Sequence, residues 1–282
     1  MKKRVVILLC LTAFCGVIWF LPGYLSPAEP VWQGKKLGQW LTECSSDDPR
    51  DLTDSAQRAI RAMGTNALPF LLRMVGTTDS GAKHELRSRF NTSFIKRLTP
   101  MHYNYRISGA AGIEALGEMA APAAPELIKM LDNEQTEYPA ALGLGAIGPP
   151  AIPLLVQTLT NRSGSIRMGA VQALNFMHGA EGAILDLLRC LDDPEPGVRI
   201  CAAVALGDMR KQPDRVVPKL MERLNDTDGS VRAGAAMAIG LFQAQARMAV
   251  PKLKELQNDP SVEVRRQATI ALQRVEAVST NQ

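Results

Sequence analysis

Beyond residue 50 the apolar positions fall into two alternating runs. The first has the form VR-x-x-A-x-x-A-[LI], with apolar residues three and four apart, the spacing of one face of a helix. After a short turn comes a second apolar run that often opens with proline, then a polar turn rich in Asp and Asn. Each unit therefore predicts two helices and two turns. The Leu or Ile that closes the first helix falls at Ile60, Leu116, Leu144, Leu174, Leu206, Ile239 and Leu272. The successive gaps are 56, 28, 30, 32, 33 and 33 residues, one long interval followed by near-equal ones. A second measure agrees with the first. Pro153, Leu185, Pro218 and Pro251 each stand 13 residues before Ile166, Val198, Val231 and Val264, and an arginine follows each of these four: Arg167, Arg199, Arg232 and Arg265. Pro125 keeps the same offset to Tyr138, but Pro139 takes the arginine's place. Proline suits the first turn of a helix, where its missing N–H costs little. The turn residues Asp193, Asp226, Asp228 and Asp259 suit helix caps.

A sustained period of about 30 residues is the mark of a helical solenoid, and the long first gap places an insertion at 76–107. The units resemble HEAT repeats in the short form of phycobilisome-lyase-like proteins. The resemblance rests on Leu191-Asp-Asp-Pro-Glu-Pro-Gly-Val-Arg199, on Leu224-Asn-Asp-Thr-Asp-Gly-Ser-Val-Arg232 and on the Ala-rich helix after each, and it covers residues 50–282. It implies an all-α, right-handed solenoid of about six to seven helical hairpins, with the second helices lining the concave surface. It also implies a ladder of turn Asp and helix Arg, carried over to Asp193/Arg199, Asp226/Arg232 and Asp259/Arg265, with Arg167 in the same series. Pro139 leaves the ladder incomplete towards the N-terminus. The segment Trp32-Gln-Gly-Lys-Lys-Leu-Gly-Gln-Trp-Leu41 is similar to one found ahead of the first repeat in exported bacterial HEAT-repeat proteins. Leu37, Trp40 and Leu41 make an apolar stripe there, suited to capping the open end of the stack.

The N-terminus has a different pattern. Lys2, Lys3 and Arg4 precede an uncharged run from Val5 to Leu21, which Pro22-Gly23 breaks. A basic stretch before an apolar run is the pattern of an export signal or a membrane anchor. Ser26 and Ala28 would suit cleavage after Ala28, but an uncleaved anchor over residues 1–25 is favoured, followed by a linker and cap over 26–49. Either form retains the cationic end inside and puts the repeats outside the cytoplasm, membrane-tethered or, if cleaved, secreted.

Composition narrows the chemistry. The chain is rich in aliphatic residues and only 5% aromatic, which suits close-packed helices and excludes a β-sandwich. Lys2, Lys3, Arg4 and the insertion account for more than the whole net charge of +4, so the rest is slightly acidic and no nucleic-acid partner is expected. Cys10 and Cys15 lie in the N-terminal run. Cys44, Cys190 and Cys201 show no zinc spacing, and the last two read as small core residues. HEAT-like di-iron hydroxylases use several His-Glu pairs, whereas this chain has one, His84-Glu85. His178 reads as a turn residue in the place of Gly64 and Gly148. No phosphate loop, nucleophile elbow or metalloprotease motif occurs, and no cofactor is expected.

Two surfaces remain as candidates. The second helices carry Glu126/Lys129, Asp186/Arg189, Lys219/Glu222 and Lys252/Glu255 one turn apart, read as local ion pairs on a solvated face, with Leu154/Gln157 in one unit. The insertion interleaves Arg87, Arg89, Lys96, Arg97, His102, Arg106, Tyr103 and Tyr105. An amphipathic helix over about 83–98 accounts for its apolar residues, and Arg87, Arg89, Lys96, Arg97, Tyr103 and Tyr105 are the candidate partner-binding residues. The expected function is a non-enzymatic protein-interaction scaffold whose partner is another protein. The alternatives are a HEAT-type lyase or accessory enzyme subunit and, further off, a nucleic-acid binder of the DNA-glycosylase kind.

Overall fold

The computed structural model describes residues 28–80, 102–177 and 179–277. The N-terminal apolar run, the amphipathic stretch at 83–98 with Arg87, Arg89, Lys96 and Arg97, and His178 lie outside the described residues.

A two-stranded hairpin, β1 (Val31–Trp32) and β2 (Lys35–Lys36), leads into the short helix α1 (Leu37–Trp40). Gln33 and Gly34 both take positive φ, 48° and 78°, as a two-residue hairpin turn requires. Leu37, Trp40 and Leu41 are buried against the first repeat and close that end of the core. Seven first helices follow: α2 (Asp54–Met63), α4 (Tyr103–Leu116), α6 (Glu137–Ile147), α8 (Gly164–Phe176), α10 (Pro196–Met209), α12 (Gly229–Leu241) and α14 (Val262–Glu276). Six second helices alternate with them: α3 (Leu68–Val75), α5 (Ala124–Lys129), α7 (Ile152–Thr158), α9 (Ile184–Cys190), α11 (Pro213–Arg223) and α13 (Val250–Leu256). The described residues thus form six hairpins and a closing helix, an all-α solenoid.

Proline opens most of the second helices as the sequence indicates, at Pro69, Pro125, Pro153 and Pro251. Pro218 differs. The helix there begins at Pro213, so Pro218 falls inside α11. Elsewhere a 3₁₀ turn leads into the second helix, and here the chain goes from Met209 into α11 through Arg210 and Gln212, both at positive φ.

The two layers pack differently. Neighbouring first helices share the most extensive contacts in the molecule, whereas consecutive second helices scarcely touch. Glycine and alanine explain the difference. A Cβ at Gly207 would stand 2.8 Å from Cα of Ala238, and one at Gly240 would stand 2.9 Å from Cα of Ala271, so α10, α12 and α14 meet backbone to backbone. Gly145 of α6 is equally close to Phe176 of α8, at 2.7 Å from its Cβ. A two-layer stack bends towards the layer with the tighter spacing. The first helices therefore form the inner face. This corrects the expectation that the second helices line the concavity. Their charges form short local pairs, Glu126–Lys129, Asp186–Arg189, Lys219–Glu222 and Lys252–Glu255, at 2.6–3.0 Å on the outer surface. Gly207→Val is expected to lower stability by about 1–3 kcal/mol by overpacking the α10–α12 contact. A thermal melt superimposable on wild type would show that these helices are not in backbone contact.

Among the described residues no single helix is long and apolar enough to cross a membrane. Glu137–Ile147 with Pro149–Thr158 passes that test only as a pair, bent by 113°.

Candidate protein-interaction face

Counted from the arginine near the start of each regular first helix, positions 1, 5 and 9 further on lie on one helical face. On α8 these are Met168, Gln172 and Phe176, on α10 Ile200, Val204 and Asp208, on α12 Ala233, Met237 and Leu241, and on α14 Arg266, Ile270 and Arg274. Most are half-buried, flanked by the fully buried alanines that hold the layer together. The result is an apolar trough over α8, α10 and α12, with charge at its ends.

Towards the N-terminus the trough deepens into a cavity of about 360 Å³, lined by Arg50, Glu114, Leu142, Gly145, Ala146, Gly148 and Phe176. Arg50 belongs to the loop before α2 and Phe176 to α8, so the cavity spans α4 and α6, which fits the inward bend. The Tyr138 and Phe176 rings meet edge to face, with centroids 5.9 Å apart, and both remain partly exposed. Arg50 is held by Asp48 at 2.8 Å, which raises its basicity, with lesser contributions from Tyr138 and Glu114. The Glu114 carboxylate makes no hydrogen bond or ion pair among the described residues. On the first turn of α6, Glu137 has one carboxylate oxygen buried without a hydrogen-bond partner, and burial followed by repulsion from Glu134 pushes its carboxyl up. Sequence patterning missed Arg50, Glu114, Glu137 and Tyr138 as a group because they come from three separate elements. The only clue was a tyrosine placed where a regular unit has Ile or Val.

The ladder runs along one edge of the stack. Each arginine donates Nη1 to the backbone of its own turn, from Arg167 to Asn161 O at 2.9 Å, from Arg199 to Asp193 O and Arg232 to Asp226 O at 2.8 Å, and from Arg265 to Asp259 O at 2.7 Å. Its Nε and Nη2 then reach the carboxylate of the next turn: Arg167 to Asp193, Arg199 to Asp226, Arg232 to Asp259, all at 2.6–2.9 Å. The carboxylate pairing is thus shifted one repeat from Asp193/Arg199, Asp226/Arg232 and Asp259/Arg265. The physical reason is the turn itself. Each aspartate also accepts the N–H two residues on, from Glu195, Asp228 and Ser261, which turns its carboxylate towards the preceding repeat. Arg265 has the backbone half alone, with no carboxylate partner among the described residues. Asp226 and Asp259 are held below the usual carboxylate range. For Asp226 burial is the largest single influence and opposes this, but the Arg199 bond, the Asp228 N–H and the charges of Arg199 and Arg223 together outweigh it, while for Asp259 the Arg232 bond dominates.

The stems of the insertion make the tightest polar cluster. Asp79 is buried and accepts from the His102 N–H at 3.1 Å and Arg106 Nη1 at 3.2 Å, and its other oxygen lies 2.6 Å from His102 Nδ1. Its backbone is doubly bonded to the Gln135 amide, at 2.6 and 3.1 Å. Burial raises the Asp79 pKa, but these donors outweigh it and the carboxyl lies low. Arg106, counted with the basic residues of the insertion, is instead a buried structural ion pair. Among the described arginines of the first helices it alone pairs with the aspartate of the turn before its own helix. Tyr103 and Tyr105 lie on the first turn of α4, exposed, with Tyr105 edge-on to His102 at 6.1 Å.

Cys44, Cys190 and Cys201 are free thiols. Burial, then Asp193 and Asp186, pushes Cys190 up to about 11. Among the described residues no group of three or more His, Cys, Asp or Glu could hold a metal ion.

The sequence profile of HEAT repeats matches residues 124–207 and 217–280, more than half of the chain. The chain belongs to the HEAT-repeat family. No curated protein sequence matches. Solved structures with a similar fold include an engineered protein, 20% identical over 86% of this HEAT-repeat chain and 95% of its own, with a TM-score of 0.45. A designed armadillo repeat protein in complex with peptide (KR)4 is 20% identical over 86% and 100% of the two chains, with a TM-score of 0.43. Human deoxyhypusine hydroxylase in complex with glycerol is 19% identical over 86% and 95%, with a TM-score of 0.39. These are likenesses of fold alone. A HEAT-repeat scaffold fits a protein-interaction role.

Proposed function

We propose that this HEAT-repeat chain is a non-enzymatic scaffold that holds another protein against its inner face, outside the cytoplasm, on the membrane to which its N-terminal segment tethers it. The observation that carries the binding reading is the half-buried apolar trough of Met168, Ile200, Val204, Met237 and Leu241. Such a surface stays partly wet in the free protein and gains by being covered. The export reading rests on Lys2, Lys3 and Arg4 ahead of Val5–Leu21.

Photo-crosslinking residues placed at Val204 and Met237 are expected to capture the partner in intact cells, and one at the exposed Leu185 on a second helix is not. Capture from Leu185 alone would move the interface to the outer layer and end this reading. A reporter fused at the C-terminus is expected to be active outside the cytoplasm, and cytoplasmic activity would overturn the location.

A further inference from the structure

We infer that the cavity beside Phe176 receives a basic side chain, lysine or arginine, of the partner protein. The inference rests on the reading of the inner face as the interaction surface and names the chemistry of one contact in it.

The charges around the cavity are unequal in what they have left to offer. Arg50 is already neutralised by Asp48, which it meets through both Nε and Nη2. Arg61, on the neighbouring helix, donates Nε to the Ala115 carbonyl at 2.8 Å and Nη2 to Gln57. Glu114, in contrast, lines the cavity with no ion-pair partner among the described residues. Glu137 has a buried oxygen without a donor, and Glu134 is close enough to raise its pKa. An acidic ligand would meet the Glu114 carboxylate with repulsion, and a purely apolar one would leave it unpaired. A cation compensates it.

The walls suit the same ligand. Two partly exposed aromatic rings in an edge-to-face pair attract a cation over their faces. Leu142, Gly145 and Ala146 give a smooth floor for an aliphatic stem. The volume of about 360 Å³ is at the small end of ligand sites, enough for one long side chain. Lysine and arginine have this form, an apolar stem with a charged head.

The test uses the full-length chain and four small probes: N-acetyl-arginine amide, N-acetyl-lysine amide, N-acetyl-norleucine amide and N-acetyl-glutamate amide. Titration followed by backbone amide NMR is expected to show saturable shifts at Gly145, Ala146 and Glu114 for the two basic amides, weakened by salt. Glu114→Gln is expected to weaken them about three- to tenfold, and Tyr138→Leu with Phe176→Leu by a similar factor. Leu185→Asp, on the outer layer, should leave them unchanged. Circular dichroism of each variant checks that helicity is retained. Norleucine amide binding as tightly as arginine amide, preference for the glutamate amide, or shifts confined to other residues would each overturn the inference. Crosslinking from Val204 and Met237 would still stand in those cases, so failure here is separable from failure of the scaffold reading.

Discussion

Asp79→Ala is expected to lower the stability of the solenoid by about 3–5 kcal/mol, the usual cost of removing one partner of a buried ion pair. The Asp79 side chain is 2% exposed and Arg106 is 5% exposed, so the guanidinium left behind has no route to water. Arg106 Nε is already buried without an acceptor, which leaves the group little to fall back on. Arg106→Leu in the Asp79→Ala background should recover much of the loss, because the uncompensated charge is then gone. Chemical denaturation of the single and double variants checks both statements, and a single-variant loss below about 1 kcal/mol would show the pair to be solvated. The pH dependence follows from the direction of the shift. A carboxyl held lower in the folded than in the unfolded chain contributes stability at pH values above the ordinary Asp pKa. That contribution is lost as pH falls through the lowered, folded-state value. The acid limb of stability below about pH 4 should therefore be shallower in Asp79→Asn than in wild type.

Arg232→Ala should cost about 2–3 kcal/mol, since it removes a two-pronged charged contact and strands Asp259, whose side chain is 6% exposed. Arg265→Ala is the internal control. It loses only hydrogen bonds to the Asp259 and Pro260 carbonyls, so about 1 kcal/mol or less is expected. Equal losses at the two positions, measured by urea denaturation, would mean that the carboxylate half of each rung contributes nothing.

Periodicity made the repeat legible because Ala, Leu and the VR step recur at fixed spacing, and each stands for a contact that every unit must make. The cap was legible for the same reason, from the stripe of Leu37, Trp40 and Leu41. The ladder's membership was legible from spacing too, but its pairing was not. Which carboxylate an arginine reaches depends on how the Asx turn aims it, and that is a matter of three dimensions. The rung at Asp79 and Arg106 was hidden by the 22 residues spliced between Asp79 and His102, which stand in space where the i and i+2 residues of a regular turn would. The cavity was invisible because it joins Arg50, Glu114 and Phe176 across 126 residues of sequence, and no local pattern connects a loop to two different helices.

One junction differs from its neighbours. Between α6 and α8, Pro139 stands in place of the arginine and Asn161 in place of the aspartate, so the only side-chain hydrogen bond between the two turns is Ser163 Oγ to Asp132, at 2.7 Å. Pulled from its ends, the solenoid behaves as springs in series, each joined only to the next. The weakest spring takes up most of the extension, and here it is the one that seats Phe176 against Gly145. Tension would therefore widen the mouth of the cavity before any helix melts, and the grip on a bound partner would fall as the load rises. In an optical trap this should appear as an early compliant phase, absent when Pro139→Arg and Asn161→Asp restore the missing rung.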